Sequence, residues 1–219
     1  MRTMSKALAV ITAGATALCS SWPATAQPVP PVSDAAAAAG LVDVRTVVPD
    51  AVIDLRYATP NNFVGEQLYP AGARCLVDQS VAPRLSAAAD ALRPGGEVLV
   101  FWDCYRPHQV QVRMYEAVPD AGWVATPGPY ARSHEAALSV DVTLSRGGEP
   151  VDMGTGFDEF TPRANAYATE GVSDAAQANR ARLRDAMAAG GLRVYSGEWW
   201  HFDAPGANAQ HPILDAPVN

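Results

Sequence analysis

Apolar residues along this chain fall in short blocks separated by Pro, Gly, Asn and Asp. Residues 42–48 and 52–55 read as short strands around a Pro49-Asp50 turn. Thr59-Pro-Asn-Asn62 and Tyr69-Pro-Ala-Gly72 are loop signals. Residues 80–92 predict a helix, with Pro83 in its first turn and Arg93-Pro-Gly-Gly96 as its stop. The apolar run 97–102 predicts a buried strand, and 108–118 a second helix starting after Pro107. Residues 139–144 alternate. A period of two puts Ser139, Asp141 and Thr143 on one face and Val140, Val142 and Leu144 on the other. Ser173 and Asp174 cap a third helix running to about Ala189, stopped by Gly190-Gly191. Residues 192–195 and 199–202 predict the last strands. Short strands interleaved with helices, without repeats, predict an α+β fold: a single domain with an antiparallel sheet flanked by helices.

The N-terminus changes the picture only at its edge. Arg2 and Lys6 precede an apolar run from Ala7 to Leu18, and Ala24-Thr-Ala26 offers a small-residue cleavage site before Gln27. Residues 1–26 therefore read as a secretory signal peptide, because the apolar run is too short to span a bilayer. A lipoprotein reading at Cys19 is weakened by the bulky Leu18 before it. Residues 27–40 are rich in Pro and Ala and read as a flexible arm, and 41–219 as the domain. The expected location is periplasmic or secreted, with no stable membrane anchor. Lys6 is the only lysine and the net charge is −7, which argues against nucleic acid as a partner. Past the signal, Cys75 and Cys104 remain. In an exported chain they favour one disulfide over thiolate metal ligation, because neither has a CxxC partner.

Four residues carry the candidate chemistry. His134 and Asp141 stand seven apart, and Glu198 and His201 three apart, in a chain with 4 His. Two imidazoles and a carboxylate suit a catalytic zinc with an open position, and a further carboxylate suits a base. Other first-row divalent metals suit the same donors. Against this stand the ordinary readings: a lone His is commonly structural, and Trp199 and Trp200 suit a plain core. An Asp within a strand is harder to dismiss, because buried charges are paired or metal-bound. Three-residue spacing puts Glu198 and His201 on opposite faces of an ideal strand, so an irregularity is expected near Gly197. Glu135 reads as exposed, and His108 and His211 as structural or surface residues.

These residues lie within a wider set of motifs. Asp54-Leu-Arg-Tyr-Ala-Thr59 with Asn62-Phe63, Trp102-Asp-Cys-Tyr-Arg-Pro107, and Ser133-His134 through Asp141-Val-Thr-Leu144 occur in order. Met153-Gly-Thr-Gly-Phe-Asp158, Asn179-Arg-Ala-Arg-Leu-Arg184 and Tyr195-Ser-Gly-Glu-Trp-Trp-His201 follow. Together they resemble the D-alanyl-D-alanine dipeptidases, zinc enzymes of the vancomycin-resistance type. The resemblance implies a zinc D,D-peptidase (hedgehog-like) fold and one zinc per chain, on His134, Asp141 and His201. It implies Glu198 as general base, Arg106 as oxyanion stabiliser and Asp103 as its support. Tyr57, Asp158 and Arg132 would line the site for a small dipeptide.

Three positions depart from the family's usual pattern: Ala137 stands where Gly is usual, Ser139 where Ala is usual, and Arg132 where a substrate-binding Ser is usual. None removes a ligand or the base. Arg132 bears on substrate preference. It is placed either to grip a substrate carboxylate or to face solvent. A signal peptide also separates this chain from cytoplasmic resistance enzymes and points to peptidoglycan turnover or nutrient recovery. Two other readings compete: a D,D-carboxypeptidase or D,L-endopeptidase acting on cell-wall stem peptides, and a non-catalytic metal-stabilised binding domain. The sequence assigns no oligomeric state.

Overall fold

The structure is a computed structural model that describes residues 28–219. The signal peptide expected over residues 1–26 lies outside the described residues. In chain order the elements are α1 (Asp34–Ala38), β1 (Leu41–Asp43), β2 (Val52–Ile53), β3 (Leu76–Asp78), α2 (Ala82–Leu92) and β4 (Glu97–Asp103). Then come α3 (His108–Ala117), β5 (Ser139–Arg146), β6 (Glu149–Pro150), α4 (Asp174–Ala189), β7 (Arg193–Val194) and β8 (His201–Asp203). This is the expected α+β architecture.

The main sheet runs β2-β4-β5-β8-β7, with β6 hairpinned onto β5. Its pairings are antiparallel except β2 with β4, which is parallel. A parallel pair needs a crossover, and the chain between β2 and β4 includes β3 and α2. β1 and β3 form a separate two-stranded ribbon.

The helices form where spacing and caps place them. α2 buries Leu85, Ala88, Ala89 and Leu92, the i, i+3, i+4, i+7 stripe of an amphipathic helix. Ser173 accepts from the Ala176 N–H and caps α4, which buries Ala176, Arg180, Leu183 and Met187. The helices touch near Gly190, where any Cβ would run into the Arg84 carbonyl. One core cluster joins Leu85, Leu183 and Met187 to Leu99, Phe101, Val142 and Phe202. A second gathers Tyr57, Tyr69, Tyr105 and Met114 with Leu41, Leu76 and the C-terminal Val218.

Of the segment expected to be a flexible arm, residues 28–40 are packed onto the domain. Ser33 caps α1, Ala36 is fully buried, and Arg74 donates to the carbonyls of Pro30 and Pro31. The Ser33 N–H reaches the Asn219 carbonyl, so the two ends of the described chain meet. Pro and Ala composition suggested a linker; fixed carbonyl acceptors and one buried Ala decide otherwise.

Both faces of β5 are buried, not only the apolar one. The alternation is as expected, but the strand lies between β4 and β8. Its polar face therefore has to satisfy itself with partners from elsewhere in the fold.

Candidate active site

The site assembles where β5 and β8 run side by side. Asp141 and His201 are directly opposed in that ladder. His134 arrives from a single 3-10 turn, Ser133–Ala136, that leads into β5. Its Nε2 lies 3.2 Å from Asp141 Oδ1 and 3.1 Å from His201 Nδ1, and His201 Nδ1 lies 3.0 Å from Asp141 Oδ1. Tetrahedral bonds of about 2.0–2.1 Å put neighbouring donor atoms about 3.3 Å apart. These three residues form the metal-holding group found among the described residues. The buried donors and their spacing fit a zinc ion.

Local backbone geometry aims these groups. The 3-10 turn is entered through Ser133 at φ 51° and left through Ala137 at φ 57°, both left-handed. Ala137 is also fully buried. The left-handed region costs a residue with a Cβ roughly 1 kcal/mol relative to glycine, which explains why glycine suits this position. As expected, the approach to β8 is irregular. The Glu198 N–H closes a turn onto the Tyr195 carbonyl, and regular pairing starts only at His201. Glu198 therefore sits in the turn, with its Oε2 3.8 Å from His201 Nδ1.

The outer nitrogens of the two rings are held differently. His134 Nδ1 bonds the Cys104 carbonyl at 2.8 Å. Cys104 is disulfide-bonded to Cys75, as expected. Closing a loop of that length stabilises by about 3–4 kcal/mol on the chain-entropy account. His201 Nε2 instead faces Asp203 Oδ1 at 3.0 Å.

Arg106 lies across from the ligands. Its Nε and Nη2 donate to Asp103 Oδ2 at 2.9 and 2.7 Å, and its Nη1 to Gln111 Oε1 at 2.7 Å. Asp103, fully buried, also accepts from the Tyr69 hydroxyl at 2.7 Å and the Cys104 N–H. Asp103 and Gln111 thus both hold the Arg106 side chain. A guanidinium has five N–H donors, and these bonds leave two for the cavity. The Tyr57 ring lies under the guanidinium, and its hydroxyl donates to Asp158 Oδ2 at 2.8 Å. Arg132 is exposed on the cavity wall. The cavity measures about 590 Å³ and is lined by the metal group, Glu198, Arg106, Tyr57 and Asp158.

Electrostatics separate the carboxylates. Burial raises Glu198, and nearby Asp141 adds to it against the pull of His201, leaving its pKa at about 7. Burial likewise pushes Asp158 well above the usual carboxylate range, although the Tyr57 hydroxyl opposes it. Burial also works against ionising Asp141, but the two histidines overcome it and hold the carboxyl below its ordinary value. Burial disfavours charge on His201; Asp141 and Asp203 outweigh it and push the ring up to about 10.

Several partners were not foreseen. Glu135, expected to be exposed, is buried and pairs with His108 Nδ1 at 2.6 Å, so His108 is not a lone surface residue. Arg180, in α4, is buried and donates to the carbonyls of Met153, Arg163 and Asn165. It also lies over Trp199, whose indole donates to Thr155 at 2.7 Å. Arg180 thus ties the segment bearing Asp158 to the segment bearing Glu198. Its place in a helical motif was visible; its partners, at least 15 residues away, were not. Asp203 carried no signal at all.

A family model described as D-ala-D-ala dipeptidase matches residues 37–219. A D-alanyl-D-alanine dipeptidase of Escherichia coli K12 is 38% identical over 175 residues, covering 80% of this chain and 89% of the relative. Enzymes of the same name from Enterococcus faecium and Streptomyces coelicolor are 31% and 33% identical, each over 75% of this chain and 91% of its own length. A solved vancomycin-resistance D,D-pentapeptidase in complex with Zn(II) overlaps 60% of this chain and 74% of its own, at 19% identity and a TM-score of 0.37.

Proposed function

Because the chain belongs to the D-alanyl-D-alanine dipeptidase family, we propose that it is an exported zinc peptidase that hydrolyses D-alanyl-D-alanine and similar D,D-dipeptides to free amino acids. The observation that carries this is the buried His134, Asp141 and His201 group sharing one cavity with Glu198 and Arg106.

A zinc held by His134, Asp141 and His201 would supply an acidified water and polarise the scissile carbonyl. Glu198 takes the water's proton and passes it to the leaving amine. A carboxyl poised near neutrality suits both transfers. Arg106, fixed by Asp103 and Gln111, turns its free N–H groups toward the carbonyl oxygen as negative charge develops there. Loss of one such donor typically costs about 3–4 kcal/mol of barrier. Asp158 and Tyr57 receive the substrate ammonium. Burial raises the Asp158 carboxyl, and a cation arriving beside it favours the ionised form. Arg132 stands at the exposed wall, placed for a substrate carboxylate.

The leader-like pattern of residues 1–26 supports export, and with it a role in peptidoglycan turnover or nutrient recovery. Among the described residues no helix is long and apolar enough to cross a membrane. The competing reading, cleavage of cell-wall stem peptides by a carboxypeptidase or endopeptidase, has in its favour a cavity lining that also includes Asn208 and Gln210.

Purified protein should release D-Ala from D-Ala-D-Ala and not from a pentapeptide ending in D-Ala-D-Ala, and Glu198→Ala should abolish release. Cleavage of the pentapeptide would replace the dipeptidase reading with the carboxypeptidase one. Mass spectrometry of protein recovered from outside the cytoplasm should find a chain beginning at Gln27.

A further inference from the structure

The β5–β8 ladder holds a second pair beside the metal pair. Asp141 faces His201, and two residues along, Ser139 faces Asp203. A period of two puts both pairs on one face. His201 is thereby gripped from both sides: Nδ1 lies 3.0 Å from Asp141 Oδ1, and Nε2 lies 3.0 Å from Asp203 Oδ1.

The hydroxyl protons around that ring can be placed by elimination. Ser139 Oγ donates to Asp203 Oδ1 at 2.5 Å, which uses its only proton. Its lone pairs then accept from Ser133 Oγ at 3.0 Å, which uses that hydroxyl's proton as well. Ser133 Oγ, 3.2 Å from His201 Nε2, can face the ring only with a lone pair. Both oxygens beside Nε2 are therefore acceptors. The proton belongs on Nε2, and in the neutral ring Nδ1 is left bare for a metal. Asp203 Oδ2 accepts from Asn208 Nδ2 at 3.2 Å, which fixes the carboxylate's other end.

His134 is held differently. Its outer nitrogen bonds a neutral backbone carbonyl at 2.8 Å, and the nearby Asp103 carboxylate stands off at 3.7 Å.

We infer that Asp203, held in place by Ser139, is a positioning residue for the metal ligand His201. The pair selects the Nε2–H tautomer, fixes the ring plane and makes Nδ1 a stronger donor. This rests on the zinc-site reading above, and it concerns how tightly the ion is kept, not which substrate is cut.

The test measures zinc affinity by chelator competition on the full chain, with thermal unfolding of the metal-free proteins as the structural control. Asp203→Ala should weaken zinc about 10–100-fold, the range for losing such an outer partner. Asp203→Asn keeps an acceptor without its charge and should fall between that variant and the unsubstituted protein. Ser139→Ala should weaken zinc severalfold. The Ser139→Ala/Asp203→Ala double variant should match Asp203→Ala alone, because Ser139 acts through Asp203. Unchanged zinc affinity in a folded Asp203→Ala protein overturns the inference, as does a double variant whose losses add. If Asp203→Ala does not fold, Ser139→Ala decides alone, and unchanged affinity there overturns it. Tight zinc without dipeptide cleavage would break the proposed function and leave this inference standing.

Discussion

The two faces of β5 obey different rules. Val140, Val142 and Leu144 on one face are fully buried in the main core, where stability follows apolar area removed from water. Ser139, Asp141 and Thr143 on the other face are nearly as buried, yet they are polar. Area burial is non-directional, so the first face tolerates apolar exchange of similar volume. Buried polar groups need specific partners at specific distances, so the second face tolerates almost none. One strand thus carries a face that stabilises the molecule and a face that holds a metal ligand.

The largest expected effect is in the cavity that the polar face of β5 helps to line, at Glu198 in the turn before β8. Glu198→Gln should lower kcat/KM about 100–10,000-fold, the usual worth of a positioned base. The same change should stabilise the metal-free protein, and the sign follows from linkage. Folding raises the Glu198 pKa to about 7, so stability is intact below the unfolded value and lost as pH rises through the folded one. Unfolding of the metal-free proteins should show a gain on the order of 1–3 kcal/mol at pH 8. At pH 4, below both values, the gain should vanish. A variant that loses both activity and metal-free stability would show that Glu198 belongs to the scaffold and would dissolve the contrast between the faces.

The apolar face should answer in the opposite way. Leu144→Ala should cost about 2–5 kcal/mol in denaturant unfolding, with kcat little changed at a temperature where the variant is folded. A large loss of kcat without loss of stability would mean that the two faces are not separable.

A charge buried away from the site sharpens the comparison. Asp43 is buried and accepts from Arg45 and Arg74. Burial works against its ionisation, but those hydrogen bonds overcome it and lower its pKa. Its contribution is therefore present above the unfolded value of about 3.9 and is lost as pH falls through the folded one. Asp43→Asn should cost about 2 kcal/mol at neutral pH, and equilibrium unfolding should show that cost shrinking below about pH 4. Glu198 and Asp43 thus respond to pH with opposite signs, one strained by its charge and the other supported by it.

The smallest effect is local. Ala137→Gly relieves a left-handed backbone but removes a buried methyl. The two nearly cancel, and the thermal midpoint should shift by no more than the equivalent of about 1 kcal/mol in either direction.

The ligands were legible because they are chemically conspicuous. Asp141 is a carboxylate in the middle of an alternating strand, and the flanking motifs gave its companions roles through resemblance. The irregular approach to β8 was legible too, since three-residue spacing cannot place Glu198 and His201 on one strand face. Residues whose meaning lies in a distant partner were not legible. Glu135 and His108 are 27 apart in the chain, and Ser139 and Asp203 are 64 apart. The ordered arm escaped notice for the same reason, because its anchors are Arg74 and the chain's far end.

By itself the sequence determined what depends on local periodicity and on residue chemistry: helices α2, α3 and α4, the strand carrying Asp141, the donor types for a metal, and the two cysteines free to pair. Only the tertiary structure decided which strands are neighbours, and so that Asp141 meets His201 while Ser139 meets Asp203 one step along the same face. Period and propensity act over a few residues, whereas ladder register, carboxylate pKa values and hydrogen-bond partners are set by groups that only folding brings within a few ångströms.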